Sequence, residues 1–169
     1  MKIVVLRLGH RHGRDKRITT HVGLVARAFG AEGMVMSTED RTVEESIRRV
    51  NERWGGNFFV ESVDWKEYMK SWKGIIVHLT MYGMPVDEAV KELREVKKDM
   101  LVVVGSEKVP REIYEIADYN VAISSQPHSE VSALAVFLDR LTDGKWVKKE
   151  FGGKLKIVPS RKCKKVQGY

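Results

Sequence analysis

Three short apolar runs, each followed by a turn that contains Gly, Ser or Pro, constrain the fold of this chain more than any other feature. They are residues 75–79, 101–104 and 121–123, and each turn leads into a helix-forming segment. Runs of this length and composition are typical of parallel strands that are buried on both faces. Open α/β sheets bind ligands at the carboxyl ends of their strands. The three turns are therefore predicted to converge on one pocket.

The rest of the chain alternates strand and helix patterns. Further strands are predicted at residues 2–6, 33–36 and 58–60, and helices at residues 19–30, 42–54, 64–72, 86–97, 110–117 and 129–141. This alternation predicts an α/β domain over residues 1–144, with a mostly parallel sheet and helices on both faces. Residues 145–169 are predicted to form a basic C-terminal extension, folded as a short β-hairpin that turns at Gly152-Gly153.

Positive charge is concentrated at the two ends of the chain. Residues 1–30 hold seven Lys or Arg against Asp15 alone, and residues 145–169 hold nine against Glu150 alone, although the net charge is only +7. Basic ends on an acidic middle favour a polyanionic partner, and neither end has the pattern of a basic amphipathic helix that binds membranes. Nucleic acid is therefore the expected partner, and no membrane span is expected.

The cysteine content indicates the compartment. Cys163 is the only cysteine, so no intrachain disulfide can form, and the first residues do not have the pattern of a signal peptide. A reducing, cytoplasmic setting is expected. Charged residues make up 31% of the chain, a proportion typical of thermophile proteins.

A basic loop follows the first strand, and its length indicates a function. The expected RNA contacts in this segment are Arg7, His10, Arg11, Arg14 and Arg17. The pair His10 and His12 could be a metal pair, but no carboxylate or cysteine partner is evident near it in the sequence. No metal is therefore predicted.

Several separated motifs carry a resemblance to a known family. They are residues 7–11 with 14–17, Thr20-His21 to Arg27, residues 79–83, Val104-Gly105-Ser106-Glu107, and residues 121–123 with 131–133. In this order they resemble the motifs of the SPOUT RNA methyltransferases. Within that family, the motifs most resemble those of the archaeal branch that methylates the ribose 2'-oxygen of cytidine 56 in the T loop of tRNA.

The resemblance implies a C-terminal trefoil knot, a homodimer that holds tRNA, and S-adenosylmethionine bound in the knot. It places the cofactor at Leu79, Val104, Gly105, Ser106, Glu107, Lys108, Ile123, Ser124, Ser125, Gln126, Pro127, His128 and Ser129. It also places the catalytic arginine of that branch at Arg27. His21 and Glu130 depart from the pattern, because the wider branch has asparagine at both positions.

The chemistry of methyl transfer fits an arginine in a supporting role. The enzyme must position a ribose hydroxyl and stabilise its oxygen as the proton leaves. A guanidinium stays protonated, so it is a poor proton acceptor. Arg27 lies off the apolar face of its predicted helix, and we expect it to hold the developing alkoxide while another group, such as a substrate phosphate, takes the proton.

Three other classes of protein compete with this interpretation on the residues alone. A Rossmann-type enzyme requires a Gly-x-Gly-x-x-Gly turn, which residues 9–13 do not supply. A metal-dependent nuclease requires clustered carboxylates, which Glu39 and Asp40 hardly provide. A non-catalytic RNA-binding domain would need only the basic ends and has no use for a second pocket. An RNA methyltransferase, acting on this or another nucleotide, is the preferred interpretation.

Overall fold

A parallel sheet of six strands forms the centre of the structure, a computed structural model that describes residues 1–106 and 108–168. The strands are β1 (Ile3–Arg7), β2 (Gly33–Met36), β3 (Phe59–Ser62), β4 (Ile75–Pro85), β5 (Met100–Val104) and β6 (Tyr119–Ala122). Their order across the sheet is β3-β2-β1-β5-β4-β6, and every neighbouring pair is parallel. The predicted mostly parallel α/β architecture is confirmed.

Helices cover both faces of this sheet, as the sequence predicted. In the described part of the chain they are α1 (Lys16–Ala28), α2 (Arg41–Trp54), α3 (Trp65–Ser71), α4 (Val86–Glu95), α5 (Arg111–Ile116) and α6 (Glu130–Thr142). Helices α1, α2, α4 and α6 pack on one face, where the larger apolar cluster lies, and α3 and α5 pack on the other. Among the described residues, no helix combines the length and apolarity needed to cross a lipid bilayer.

The alternation of side chains along each central strand produces the two clusters. Ile3 and Val5 of β1 belong to the larger cluster, whereas Val4 and Leu6 belong to the smaller one. Successive side chains of a strand point to opposite faces, so a fully apolar strand supplies both layers. Because the strands are parallel and β5 lies between β1 and β4, the segments that follow β1, β5 and β6 emerge at one edge of the sheet, together with residues 80–83 of β4.

Strand β4 is interrupted where the sequence predicted its end. Leu79 and Met84 are both paired with Val121, so residues 80–83 leave the ladder between β4 and β6. At Gly83 an added Cβ would lie 2.4 Å from the carbonyl carbon and oxygen of Asn120. No side chain fits at that distance, and glycine is therefore required where the displaced segment crosses the backbone of β6.

The C-terminal extension differs from the predicted hairpin. Residues Lys145–Lys148 form a 3₁₀ helix, and the antiparallel pair is β7 (Lys156–Ile157) with β8 (Val166–Gln167). Gly152 instead forms a bridge with Gly55 at the end of α2. The reason is that the apolar residues of the extension pack on the domain: the ring of Trp146 stacks on Phe29 at a centroid distance of 4.1 Å.

The basic loop after β1 is anchored to the start of α2 by one carboxylate. Asp40 is the N-cap of α2: its Oδ1 accepts from the backbone N–H of Thr42 at 2.9 Å, and its Oδ2 lies 2.9 Å from His10 Nε2. Burial alone would raise the pKa of Asp40, but hydrogen bonds from Thr42, His10 and the Val43 N–H outweigh it and lower that pKa to about 2. The ionised carboxylate thus stabilises both the helix and the loop.

We expect Asp40→Asn to reduce the free energy of unfolding at pH 7 by about 1–2 kcal/mol, since it weakens hydrogen bonds to a charged acceptor. The folded pKa of about 2 lies below the ordinary value, so the stabilisation by the carboxylate is fully present above about pH 4 and is lost as the pH falls toward 2. Urea unfolding of both proteins at several pH values measures this difference.

The matched control is Glu39→Gln. Glu39 is the neighbouring carboxylate, and it is exposed and pairs with Arg41. The effect of this substitution should stay within about 0.5 kcal/mol, as for most exposed substitutions. If Asp40→Asn lowered the free energy of unfolding by the same amount at pH 7 and at pH 2, the result would contradict the role assigned to the charge of Asp40.

Candidate active site

The three turns predicted to converge do line one cavity, of about 500 Å³, at the carboxyl edge of the sheet. Residues 78–82 of β4, the turns after β5 and β6, and residues of α5 and α6 form one side, and residues of β1, the basic loop and α1 form the other. Six of the predicted cofactor residues contribute to the lining: Leu79, Val104, Gly105, Ser106, Pro127 and His128. The cavity thus lies where α/β sheets bind ligands.

The remaining predicted cofactor residues belong to the same turns but do not line this cavity. They are Lys108, Ile123, Ser124, Ser125, Gln126 and Ser129. Ser129 has a structural role, because its side chain accepts from the Val131 N–H and caps α6. Glu107 lies outside the described residues.

A close approach of two loops forms the wall between β1 and β5. Gly9 has a φ of +71°, and a Cβ added there would lie 2.3 Å from Ser106 Oγ. A positive φ is costly for residues other than glycine. Gly9 therefore lets the basic loop pack directly against the turn after β5, and it couples the two sides of the cavity.

Arg7 is not the surface contact that the sequence predicted. Its side chain is 1% exposed and lines the cavity, with Nη2 2.9 Å from Glu130 Oε1 and Nε donating to Thr19 Oγ1 at 3.4 Å. Burial lowers the pKa of Arg7, although Glu130 and Asp15 oppose that shift. The end of β1 carries this guanidinium into the interior because Glu130, at the start of α6, supplies a counter-charge.

His10 is also buried, so it is unavailable for the predicted RNA contact. Its Nδ1 lies 2.8 Å from Thr19 Oγ1, and Nε2 lies 2.9 Å from Asp40 Oδ2. The Nδ1 atom of exposed His12 lies 3.7 Å from the same carboxylate oxygen. The loop before α2 supplies this carboxylate, which lies 28–30 residues from the two histidines in the sequence and so was not evident there. His10, His12 and Asp40 lie close enough to hold a metal ion together, but the N-cap role of Asp40 explains its position without one. That no metal binds here stays a prediction.

The other predicted RNA-binding arginines are on the surface. Arg11 lines the mouth of the cavity and donates from Nε to Asp15 Oδ2 at 2.8 Å, a hydrogen bond that lowers the pKa of Asp15. Arg14 and Arg17 are exposed and lie around a separate depression with Lys16. These positions are compatible with contact to an extended polyanion.

Arg27 lies in a different cavity from the three turns. It is 7% exposed, and it donates from Nε to Asn51 Oδ1 at 2.9 Å and from Nη2 to the Gly55 carbonyl at 2.5 Å. The guanidinium carbon stands 4.4 Å from the ring centroid of Phe151, in the C-terminal extension. Burial lowers the pKa of Arg27. Within one chain, Arg27 and the cofactor residues therefore line separate cavities.

Sequence reasoning missed His78, which lines the main cavity beside Tyr114. Asn120 donates through Nδ2 to the Tyr114 carbonyl at 3.0 Å, so its Oδ1, 2.9 Å from His78 Nδ1, accepts from the imidazole. Burial lowers the pKa of His78, which leaves the ring neutral and its Nε2 an acceptor. Among the described residues, Nε2 has no hydrogen-bond partner. The sequence feature that could have indicated His78 as a site residue is its place within an otherwise apolar strand.

Solved structures share this fold. An RNA 2'-O ribose methyltransferase aligns with a TM-score of 0.63 over 85% of this chain and 57% of its own, at 16% identity. The SpoU methyltransferase AviRb from Streptomyces viridochromogenes, in complex with AdoMet, aligns with a TM-score of 0.57 over 85% of this chain and 58% of its own, at 16% identity. The TrmH/SpoU tRNA modifying enzyme of A. aeolicus gives a TM-score of 0.59 over 87% and 77%, at 20% identity.

Sequence relatives are much more similar. The tRNA (cytidine(56)-2'-O)-methyltransferase of Pyrococcus horikoshii is 60% identical over 99% of this chain and 87% of its own length. The proteins of the same name from Thermococcus kodakarensis and Methanocaldococcus jannaschii are 60% and 56% identical, over 97% and 98% of this chain, and each match covers 96% of the relative.

A family model agrees with these relatives. The model described as tRNA ribose 2'-O-methyltransferase, aTrm56, matches residues 54–167, which include residues 80–83 of β4, the turns after β5 and β6 and most of the C-terminal extension. The P. horikoshii relative matches 99% of this chain, so its match also includes β1, the basic loop and Arg27. The chain belongs to the aTrm56 family of tRNA ribose 2'-O-methyltransferases.

Proposed function

We propose that this protein methylates the ribose 2'-oxygen of cytidine 56 in the T loop of tRNA, with S-adenosylmethionine as the methyl donor. The observation that carries the proposal is the 60% identity, over 99% of the chain, to a relative named for this reaction. The cavity supports it independently, because the three turns that the resemblance assigns to the cofactor meet there.

The residues of the main cavity fit such a cofactor. The space of about 500 Å³ lies within the range of small-molecule sites, and its walls combine apolar side chains with a few polar groups. Two buried polar atoms of lining residues, Arg7 Nη1 and His78 Nε2, have no partner among the described residues. A ligand with hydrogen-bonding groups would satisfy both. When bound, the cofactor would supply an electrophilic methyl group on a sulfonium.

The backbone of the turns would hold most of this ligand. Gly105 and Ser106 follow β5 without regular secondary structure, so their backbone N–H and C=O groups can reach a ligand at the cavity wall, next to Val104 at the end of the strand. Leu79 and Pro127 add apolar contact area from the neighbouring turns. We further propose that the chain end is threaded into a trefoil knot here, as in SPOUT enzymes; the close crossing at Gly83 and the fold likeness support this.

Arg27 acts on the substrate ribose in this proposal, and it does so from a second subunit. Its own chain places it in a cavity with Gly56, Lys149 and Phe151, apart from the cofactor turns. A two-fold homodimer can bring that cavity against the cofactor cavity of its partner. Arg27 would then hold the 2'-oxygen and stabilise its developing charge, while a substrate phosphate takes the proton.

The tRNA would be held on the basic ends of the chain. Arg11 is exposed and lines the main cavity, Arg14 and Arg17 are exposed around the separate depression, and the C-terminal extension carries exposed lysines that include Lys154, Lys156, Lys162, Lys164 and Lys165. Such side chains bind phosphates without reading sequence, so affinity for tRNA is expected to fall steeply with added salt. Selection of position 56 would come from the shape and the exposed nucleotides of the folded tRNA.

The direct test is transfer of labelled methyl from S-adenosylmethionine to an unmodified tRNA transcript. We expect label on the wild-type transcript and, after nuclease digestion, on a 2'-O-methylcytidine. A transcript in which cytidine 56 is replaced by its 2'-deoxy analogue should receive none, because the acceptor oxygen is absent. Equal labelling of both transcripts would contradict the site, and no label on either would contradict the reaction.

Subunit complementation tests Arg27 and the dimer together. Arg27→Ala should bind cofactor but not transfer methyl, and Ser106→Trp should block the cofactor cavity. Hybrid dimers of the two variants contain one site with both functions if Arg27 acts across the interface. In an equimolar random mixture, about half of the dimers are hybrids, and each hybrid has one complete site of its two. The mixture should then show about a quarter of the activity of the same amount of wild-type dimer.

In the control mixture, Arg27→Ala is combined with a chain that carries both Arg27→Ala and Ser106→Trp. No hybrid dimer in that mixture has a complete site. The control mixture should remain inactive. Absence of activity in the first mixture, with hybrid dimers demonstrated by tag pull-down, would contradict the action of Arg27 across subunits. A monomer in sedimentation equilibrium would do the same.

A further inference from the structure

Arg7 presents a buried donor that none of the described residues of its own chain satisfies. Its Nη2 lies 2.9 Å from Glu130 Oε1 and its Nε donates to Thr19, whereas Nη1 has no partner among the described residues. Buried polar groups in folded proteins are nearly always paired, and an unpaired donor on a cation is costly. Since Arg7 lines the main cavity, a ligand there is the available source of an acceptor.

The charges around this cavity define the kind of acceptor. Arg7 and Arg11 bring two positive charges to the lining, and Asp15 and Glu130 bring two negative charges. A balanced wall suits a ligand end that is itself zwitterionic better than it suits a free anion. The side chain of Glu130 is 24% exposed and holds Nη2 in place, which leaves the Nη1 edge of the guanidinium for the ligand.

We propose that Arg7 binds the α-carboxylate of the amino-acid end of S-adenosylmethionine, with Glu130 as the group that positions its guanidinium. The inference rests on the proposed function, because it assigns a subsite within the cofactor cavity. The match is chemical: the carboxylate is the only anionic group of that cofactor, and guanidinium–carboxylate contacts are among the strong hydrogen bonds in proteins.

A phosphate of tRNA is the alternative acceptor, and burial argues against it. The Arg7 side chain, at the end of β1, is 1% exposed, whereas Arg14, in the loop that follows, is exposed. A polynucleotide backbone contacts side chains that reach the surface, and a small cofactor can enter a cavity of this size. The two arginines should therefore differ in what they bind.

The test uses two ligands that differ in the amino-acid end. S-adenosylhomocysteine keeps that end, and 5'-methylthioadenosine lacks it. In isothermal titration, Arg7→Met should weaken binding of S-adenosylhomocysteine by about 10- to 100-fold, the loss expected for a hydrogen bond to a charged group. Binding of 5'-methylthioadenosine should change by less than about threefold. Arg7→Lys keeps a cation beside Glu130, and it should show the same contrast if Arg7→Met does not fold.

Binding of unmodified tRNA without cofactor separates the two arginines. Arg14→Met should weaken tRNA binding and leave S-adenosylhomocysteine binding intact, whereas Arg7→Met should do the reverse. Equal losses for both small ligands would overturn the subsite, because they would indicate a general distortion of the cavity. Loss of tRNA affinity alone in Arg7→Met would make Arg7 a phosphate contact. A wild-type protein that binds neither small ligand would instead overturn the proposed cofactor.

Discussion

The ion pair between Arg7 and Glu130 joins the end of β1 to the start of α6, and both residues form part of the wall of the main cavity. The two groups approach to 2.9 Å with Arg7 almost wholly buried. Removing one partner of a buried ion pair costs about 3–5 kcal/mol in general, because the other charge is left without compensation. The pair therefore fixes the two halves of the chain across the cavity that they enclose.

A chain of polar contacts extends from this ion pair to the surface. Arg7 donates to Thr19, the Thr19 hydroxyl also contacts His10, and His10 contacts the Asp40 carboxylate that caps α2. These contacts hold the basic loop in one conformation against the turn after β5. The basic loop that carries Arg11 and Arg14 is thus anchored by His10, which contacts both Thr19 and Asp40 independently of Arg7.

The sequence predicted the sheet, its helices and the meeting of the three turns, because buried parallel strands have an apolar pattern that few other elements share. It could not predict which charged residues are buried. Arg7 looks like a surface residue until the fold brings Glu130 to it, and His10 until the fold brings Asp40. The C-terminal hairpin was misplaced for a related reason, since Trp146 and Phe151 pack on α1 and its surroundings rather than on each other.

Amide hydrogen exchange with and without S-adenosylhomocysteine tests the central claim most directly, namely that the cofactor binds where the three turns meet the end of β1. The account predicts slower exchange in residues 7–11, 79–85, 104–109 and 123–129, and little change in residues 145–168. Protection confined to residues 56–59 and 149–151, which line the Arg27 cavity, would contradict it.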